Sequence, residues 1–247
     1  MKFDEYKKLN LGVDCVIMTS DLHKEDNCRM EARRALQVLM IKRNIEPFNG
    51  HWSIPGGLVE YDKGLEETIN TKLFKKTNIS QMYKEQLYTY GDNTERDPRG
   101  RVVSVAYLAL VNKEQLQNIQ TKDYGEVKWF WVAPGAAGEA VFIDPETSVE
   151  VKNIAFDHAK IVNDAILRIR NKVAYTDIIF KMMPKKFTMR ELQDLYEFII
   201  GKGVYSFRKL MQSKVYETDE YSATKAHRPA KLFVYKEVKS VDVEEVQ

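Results

Sequence analysis

Four runs dense in β-branched and aromatic residues stand out along the chain: residues 11–19 (LGVDCVIMT), 35–42 (ALQVLMIK), 102–111 (VVSVAYLALV) and 127–132 (VKWFWV). Each has the length and composition of a strand. The first two flank a charged connector, residues 21–34, and pair naturally as a hairpin. The third is almost continuously apolar, which predicts a strand buried on both faces. In the fourth, Trp129 and Trp131 alternate with Phe130 across the sheet. One face there has the chemistry to stack on a base or a sugar, although strand aromatics more often belong to a core. A further strand is expected over 86–90 and a short extended piece over 142–145. Helical spacing appears where Leu65, Ile69 and Leu73 recur every fourth residue. It returns over residues 155–173, where Ile161, Ala165, Leu167 and Ile169 supply the apolar side. His158, near the start of that second helix, reads as a structural histidine rather than a catalytic one.

Beyond residue 173 the elements shorten. Pro184 stops whatever precedes it. Thr188 and Glu191 form a T-x-x-E capping box. It opens a helix carrying Leu192, Leu195, Tyr196 and Ile199 on one side, and Gly201 and Gly203 end that helix. Ser206 is expected to cap a second, short helix (SFRKLMQSK, residues 206–214). Phe207, Leu210 and Met211 would point inward, and Arg208, Lys209, Gln212 and Lys214 outward. Strands follow over 215–218 and 231–235. The polar loop between them carries Lys225, His227 and Arg228. Helix, turn, helix and a two-stranded ribbon make a winged helix-turn-helix, whose second helix enters the major groove. The DNA-facing set is then Arg190, Ser206, Arg208, Lys209, Gln212, Lys214, Lys225 and Arg228. The competing reading is a small helical cap with a solvated basic face that serves dimerisation.

With 247 residues the chain is long enough for two domains. We divide it into residues 1–172 and 173–247, an α+β protein whose mixed sheet packs between helices. A net charge of +2 gives no global field, so any basic surface is local. Cys15 and Cys28 form no C-x-x-C pair, and the four histidines show no metal-ligand spacing. No resident metal or cofactor is expected. The opening MKFDEYKKL lacks the apolar centre of a signal peptide, and no apolar run has the length of a membrane span. A cytoplasmic protein is expected.

The candidate chemistry centres on residues 52–79 (WSIPGGLVEYDKGLEETINTKLFKKTNI), a strand, a Gly-Gly turn at Gly56 and Gly57, a loop and a helix. This stretch resembles the Nudix box, the signature of pyrophosphate-cleaving hydrolases. Anchored on Gly57, the box places Leu73 and Ile79 at its apolar positions. Its glutamate positions are filled by Lys63, Lys72, Lys75 and Lys76, with Thr71 at its arginine. In the active family those carboxylates hold the Mg²⁺ that activates water. An ammonium has no lone pair and repels a divalent cation. The resemblance therefore implies a disarmed site. The lysines are then either solvated helix residues or, in the case of Lys72 and Lys76, direct partners of an anionic ligand.

Arg43 lies at the mouth of the presumed pocket. Arg96, Arg99 and Arg101 cluster at the entry to residues 102–111, where planar guanidiniums suit phosphate. An arginine–carboxylate turn involving Glu95 and Asp97 is the alternative. The candidate effector set is Arg43, Gly56, Gly57, Lys72, Lys76, Arg96, Arg99 and Arg101. The whole chain resembles the Nudix-related transcriptional regulators. The resemblance rests on KRN at 42–44, PGGLVEYD at 55–62, RDPRGRVVSVAY at 96–107, FDH at 156–158, PKKFTMRELQDLYE at 184–197 and FRK at 207–209. It implies a dimeric repressor or activator of double-stranded DNA, with the Nudix pocket sensing a sugar or a nucleotide sugar such as ADP-ribose. The helix over 155–173 would be the lever between pocket and DNA. VYSFRKL departs from a more strongly charged family segment, which leaves the operator sequence open. Two rivals remain. One is an ADP-ribose pyrophosphatase with metal ligands moved to Glu60, Asp62, Glu66, Glu67 or Glu95. The other is an inert scaffold whose C-terminal unit binds protein.

Overall fold

The computed structural model describes residues 5–23, 32–77, 82–116, 126–222 and 229–237, without the side chains of residues 72–77, 115 and 116. Its centre is a mixed sheet in the order β5-β6-β1-β2-β7-β8. The strands are β1 (Asn10–His23), β2 (Arg33–Lys42), β5 (Tyr83–Tyr90), β6 (Val102–Leu110), β7 (Val127–Ala133) and β8 (Val141–Ile143). Two short strands join from the side: β3 (Trp52–Ser53) pairs with β2, and β4 (Gly56–Leu58) pairs with β1. β1 and β2 form the expected antiparallel hairpin. β1 and β6 run parallel, from Asn10 opposite Val102 to Met18 opposite Leu110. Both faces of these strands are covered, which is why both read as apolar runs rather than as alternating ones.

The two faces pack against different helices. Val13, Cys15 and Ile17 of β1 join Leu39 and Ile69, the last on α1 (Leu65–Thr77). Val16, Met18, Val38 and Met40 face Ile161, Ala165, Ile166 and Ile169 of α2 (His158–Lys172). Alternate residues of one strand thus build two separate cores.

The C-terminal unit contains β9 (Phe187–Thr188), α3 (Met189–Ile200), α4 (Phe207–Met211), β10 (Val215–Tyr221) and β11 (Lys231–Tyr235). Its three strands pair in the order β10-β11-β9. Thr188 and Glu191 form the capping box, and Gly201 closes α3 in the left-handed region (φ 74°) that glycine adopts at no steric cost. The core beneath α2 continues through Phe180, Phe187, Leu195, Ile199, Phe207 and Phe233 without a break at residue 172. α3 packs on β2. Ser20 Oγ donates to the Met182 carbonyl at 2.7 Å, and Arg170 Nε donates to the Ile199 carbonyl at 2.7 Å. Arg34 Nη2 donates to Glu191 Oε1 at 3.2 Å.

Several expectations are corrected. The hairpin strands reach His23 and begin at Arg33, so they take up both ends of the charged connector. Gly56 and Gly57 lie in β4 rather than in a turn. A Cβ on Gly56 would sit 2.3 Å from Asp14 Oδ1 and 2.6 Å from the Val13 carbonyl, so glycine is required there for close approach of two backbones. Ser206 does not cap α4 through its side chain; it adopts φ 57° and ψ 31°. Leu210 is 48% exposed rather than inward. β9, only two residues long, carries no pattern of its own. Among the described residues no helix is long and apolar enough to cross a membrane.

Candidate functional site

A cavity of about 320 Å³ opens where the loop after β2, strand β4 and the start of α2 meet. Its floor is polar. Asp14, a carboxylate inside the apolar run of β1, is buried. Ser104 Oγ donates to Asp14 Oδ2 at 2.5 Å. His158 Nε2 lies 3.8 Å from Asp14 Oδ1, and His158 Nδ1 accepts from the Ile54 backbone amide at 3.2 Å. Because Nδ1 accepts, the neutral ring carries its proton on Nε2, facing the carboxylate. Burial pulls the His158 pKa below its ordinary value, and Asp14 opposes that only in part.

The sign of this effect yields a pH prediction. The unfolded chain takes up a proton at His158 below about pH 6.5, whereas the fold holds the ring neutral. This residue's contribution to stability is present above that pH and is lost as pH falls, by up to about 1.4 kcal/mol per unit. Melting temperature followed from pH 7 to 5 is expected to fall less steeply in His158→Gln than in the wild type.

Arg96 and Asp157 form the site's rigid shoulder. Arg96 Nε and Nη2 donate to the two carboxylate oxygens of Asp157 at 2.8 and 2.6 Å, and Nη2 lies 3.7 Å from Asp14 Oδ2. Burial works against the Arg96 charge, but the Asp157 bonds outweigh it and raise its pKa. Asp157 stands at the N-cap of α2, yet makes no side-chain cap bond; its carboxylate is turned to Arg96. Arg96, expected as a phosphate ligand, instead acts as an internal anchor, since its Nε and Nη2 edge is taken up by the Asp157 carboxylate.

Arg43 and Arg99 bring two further guanidiniums to the cavity. Arg43 Nε donates to the Pro47 carbonyl at 2.8 Å, and its buried Nη2 has no partner among the described residues. Arg99 is held by Asp97 through contacts of 2.9 and 2.7 Å, so the arginine–carboxylate turn weighed for this segment is present. Both guanidiniums lie near the Phe156 ring, at 4.9 and 5.5 Å from its centroid. Burial, then the nearby Arg99 charge, lowers the Arg43 pKa. An anion would relieve both penalties. Phe156 (φ 54°) and Phe48 (φ 65°) both occupy the left-handed region, with their rings edge to face at 4.8 Å. Such conformations cost about 1–3 kcal/mol each and concentrate at ligand sites.

Of the predicted effector residues, Arg43, Gly56, Gly57, Arg96 and Arg99 line this one cavity. Arg101 does not; it is exposed and reaches the Asn93 carbonyl at 3.4 Å. The Lys72 and Lys76 side chains lie outside the described residues. Asp14, Ser104 and Phe156 were missed. The one signal for Asp14 was a lone acid in an apolar strand.

A Nudix metal centre does not fit the residues present, because the box supplies ammonium groups where Mg²⁺ needs oxygens. Glu60 pairs with Lys63, and Glu66 with Lys84 at 3.0 Å. Among the described residues no three His, Cys, Asp or Glu side chains converge on a metal position.

In the C-terminal unit Arg208, Lys209 and Gln212 are exposed on and just after α4. Ser206 is exposed ahead of it. Lys214 is drawn inward to Asp177 at 2.6 Å, and the Tyr235 hydroxyl donates to the same carboxylate at 2.9 Å. It therefore braces the fold instead of facing outward. Arg190 pairs with Asp194 one turn along α3, at 2.9 Å. Lys225 and Arg228, with the rest of residues 223–228, lie outside the described residues.

Comparison with known proteins matches two domain families to this chain. The NUDIX domain model matches residues 28–150, and the NrtR DNA-binding winged helix domain matches residues 179–235. The ADPR responsive transcriptional repressor NtrR of Acinetobacter baylyi is 36% identical over 204 residues, covering 80% of this chain and 75% of that one. An ADP-ribose pyrophosphatase of Methanocaldococcus jannaschii is 29% identical over 164 residues, 66% of this chain and 80% of that one. The crystal structure of Shewanella oneidensis NrtR complexed with a 27mer DNA superposes with a TM-score of 0.66 at 32% identity, covering 92% and 93% of the two chains.

Proposed function

We propose that this chain, which belongs to the Nudix-related transcriptional regulators with an NrtR-type winged helix, is a repressor that leaves its operator when its Nudix pocket binds ADP-ribose. The units are residues 1–172, the sensor, and 173–247, the DNA reader. The carrying observation is the cavity in which Arg43, with a buried nitrogen that has no partner among the described residues, stands beside Arg99 and Phe156. Guanidinium beside an aromatic ring suits a ligand that joins phosphate to a planar group. The name of the Acinetobacter relative points to ADP-ribose as that ligand. Two protomers in the cytoplasm would present two α4 helices to paired half-sites.

Hydrolysis is not part of this role, because the box carries lysines where the metal ligands belong. The likeness to a pyrophosphatase favours a second reading, residual cleavage. It predicts Mg²⁺-dependent release of AMP from ADP-ribose.

Two routes join pocket to reader. α2 begins at the cavity with Asp157 and His158 and runs about 20 Å to Arg170, bonded to the end of α3. β2 carries Arg34, paired with Glu191 of α3, at one end and leads into Arg43 at the other. The effector shifts the dimer only by its differential affinity for two arrangements. Arg170→Gln is therefore expected to leave ADP-ribose affinity near wild type while shrinking the ADP-ribose effect on operator affinity severalfold. Calorimetry and a DNA titration on the same sample read the two quantities.

Selection of genomic fragments by the purified protein at moderate salt tests the proposal. Fragments sharing an inverted repeat support it. Binding without sequence preference would reduce the C-terminal unit to an interaction module.

A further inference from the structure

The strand beside the reading helix is acidic: β10 carries Glu217, Asp219 and Glu220. Carboxylates on a DNA-facing element oppose the phosphate backbone, which supplies most non-specific affinity. Glu220 is engaged by Lys186 at 2.5 Å. Glu217 lies instead against the reader. Its Oε1 is 3.7 Å from Arg208 Nη2 and 3.5 Å from Lys231 Nζ. The Arg208 guanidinium also stands 5.7 Å from the centroid of Phe233, a buried ring of β11. Arg208 is the second residue of α4, and its side chain is 69% exposed. The guanidinium is thus bounded by a carboxylate and a ring and otherwise open to solvent.

An exposed ion pair of this length contributes little to stability, so the fold does not account for a carboxylate at this place. We propose that Arg208 reads a guanine edge in each half-site and that Glu217 is its positioning residue. The inference rests on the DNA-binding reading above and deepens it. Two physical effects support it. A guanidinium bounded on one side by a carboxylate at 3.7 Å and on another by the Phe233 ring samples fewer rotamers before docking and so loses less freedom on it. A negative charge beside it also disfavours a phosphate partner, leaving guanine O6 and N7 as the matching acceptors. Glu217 therefore directs Arg208 from backbone to base, exchanging raw affinity for discrimination.

The test is selection of randomised duplexes by full-length wild type, Arg208→Ala, Glu217→Gln and Glu217→Asp, with salt-dependent binding to one non-specific duplex. Wild type is expected to prefer G·C at one position per half-site. Arg208→Ala should erase that preference, a loss of about 5- to 150-fold in discrimination. Glu217→Gln should flatten the same position while non-specific affinity holds or rises, and Glu217→Asp should restore the preference. A Glu217→Gln matrix identical to wild type, or one weakened equally at every position, overturns the positioning role. So does an unchanged matrix for Arg208→Ala. Wild type that selects no sequence at all overturns the DNA-binding reading, and this inference with it.

Discussion

Replacing Arg96 by alanine is expected to destabilise the protein by about 3–5 kcal/mol, because it leaves buried charge without a partner. Arg96 is 8% exposed and answers two carboxylates, Asp157 directly and Asp14 at longer range. Without it Asp14 is left with uncharged neighbours such as the Ser104 hydroxyl and the neutral His158. Urea denaturation measures the cost. The double variant Arg96→Ala with Asp157→Ala should recover part of it, since the second change removes one orphaned charge. A cost below about 1 kcal/mol would mean that water reaches and solvates these carboxylates. The same variant should weaken ADP-ribose binding, because Asp157 fixes the start of α2 against the cavity wall.

Phe187→Ala carries the second large effect, about 3–5 kcal/mol for a large side chain removed from a full core. Phe187 is 1% exposed on β9, with the Phe180 ring 6.0 Å away and Tyr235 stacked on Phe180 at 4.2 Å. Its consequence reaches beyond the C-terminal unit. The cluster containing Phe187 continues through Leu195 and Ile199 to Leu36, Val38 and Ile166. A shared core unfolds as one body, so calorimetry is expected to give a single transition at lowered temperature. Two resolved transitions, of which only one moves, would contradict the shared core and with it any rigid transmission from pocket to reader.

What the sequence made legible follows from which interactions are local. The hairpin, the apolar run at 102–111 and the capping box at Thr188 and Glu191 announce themselves through composition and spacing, and the structure contains them, the run as β6 over Val102–Leu110. The loss of the box's carboxylates is legible in the sequence itself, since Lys63, Lys72, Lys75 and Lys76 stand at its glutamate positions. The site proper was only half legible. Arg43 and Arg99 were named because cations near a presumed mouth suit an anion. Arg96 has the same chemistry but lies beside Asp157, sixty-one residues on. Spacing carries no record of such a long-range pair. Lys214 was misread for the same reason, since Asp177 and Tyr235 reach it from two other elements. Gly56 was read through turn propensity when the constraint is the approach of Asp14 and Val13 across two strands. Phe156 showed only as part of the FDH resemblance at 156–158, because its place at the cavity depends on a left-handed backbone that only the tertiary contacts impose.

In the proposed role the effector and the DNA are linked reciprocally. Whatever factor ADP-ribose takes from operator affinity, operator takes from ADP-ribose affinity. The most direct test of this account is therefore one titration: a fluorescent duplex carrying the selected inverted repeat, bound by the full-length protein and followed by anisotropy as ADP-ribose is added. The account predicts release, with operator affinity falling by about 10-fold or more in the wild type and markedly less in Arg43→Ala. An operator complex that persists unchanged, at ADP-ribose concentrations shown by calorimetry to saturate the cavity, would contradict it.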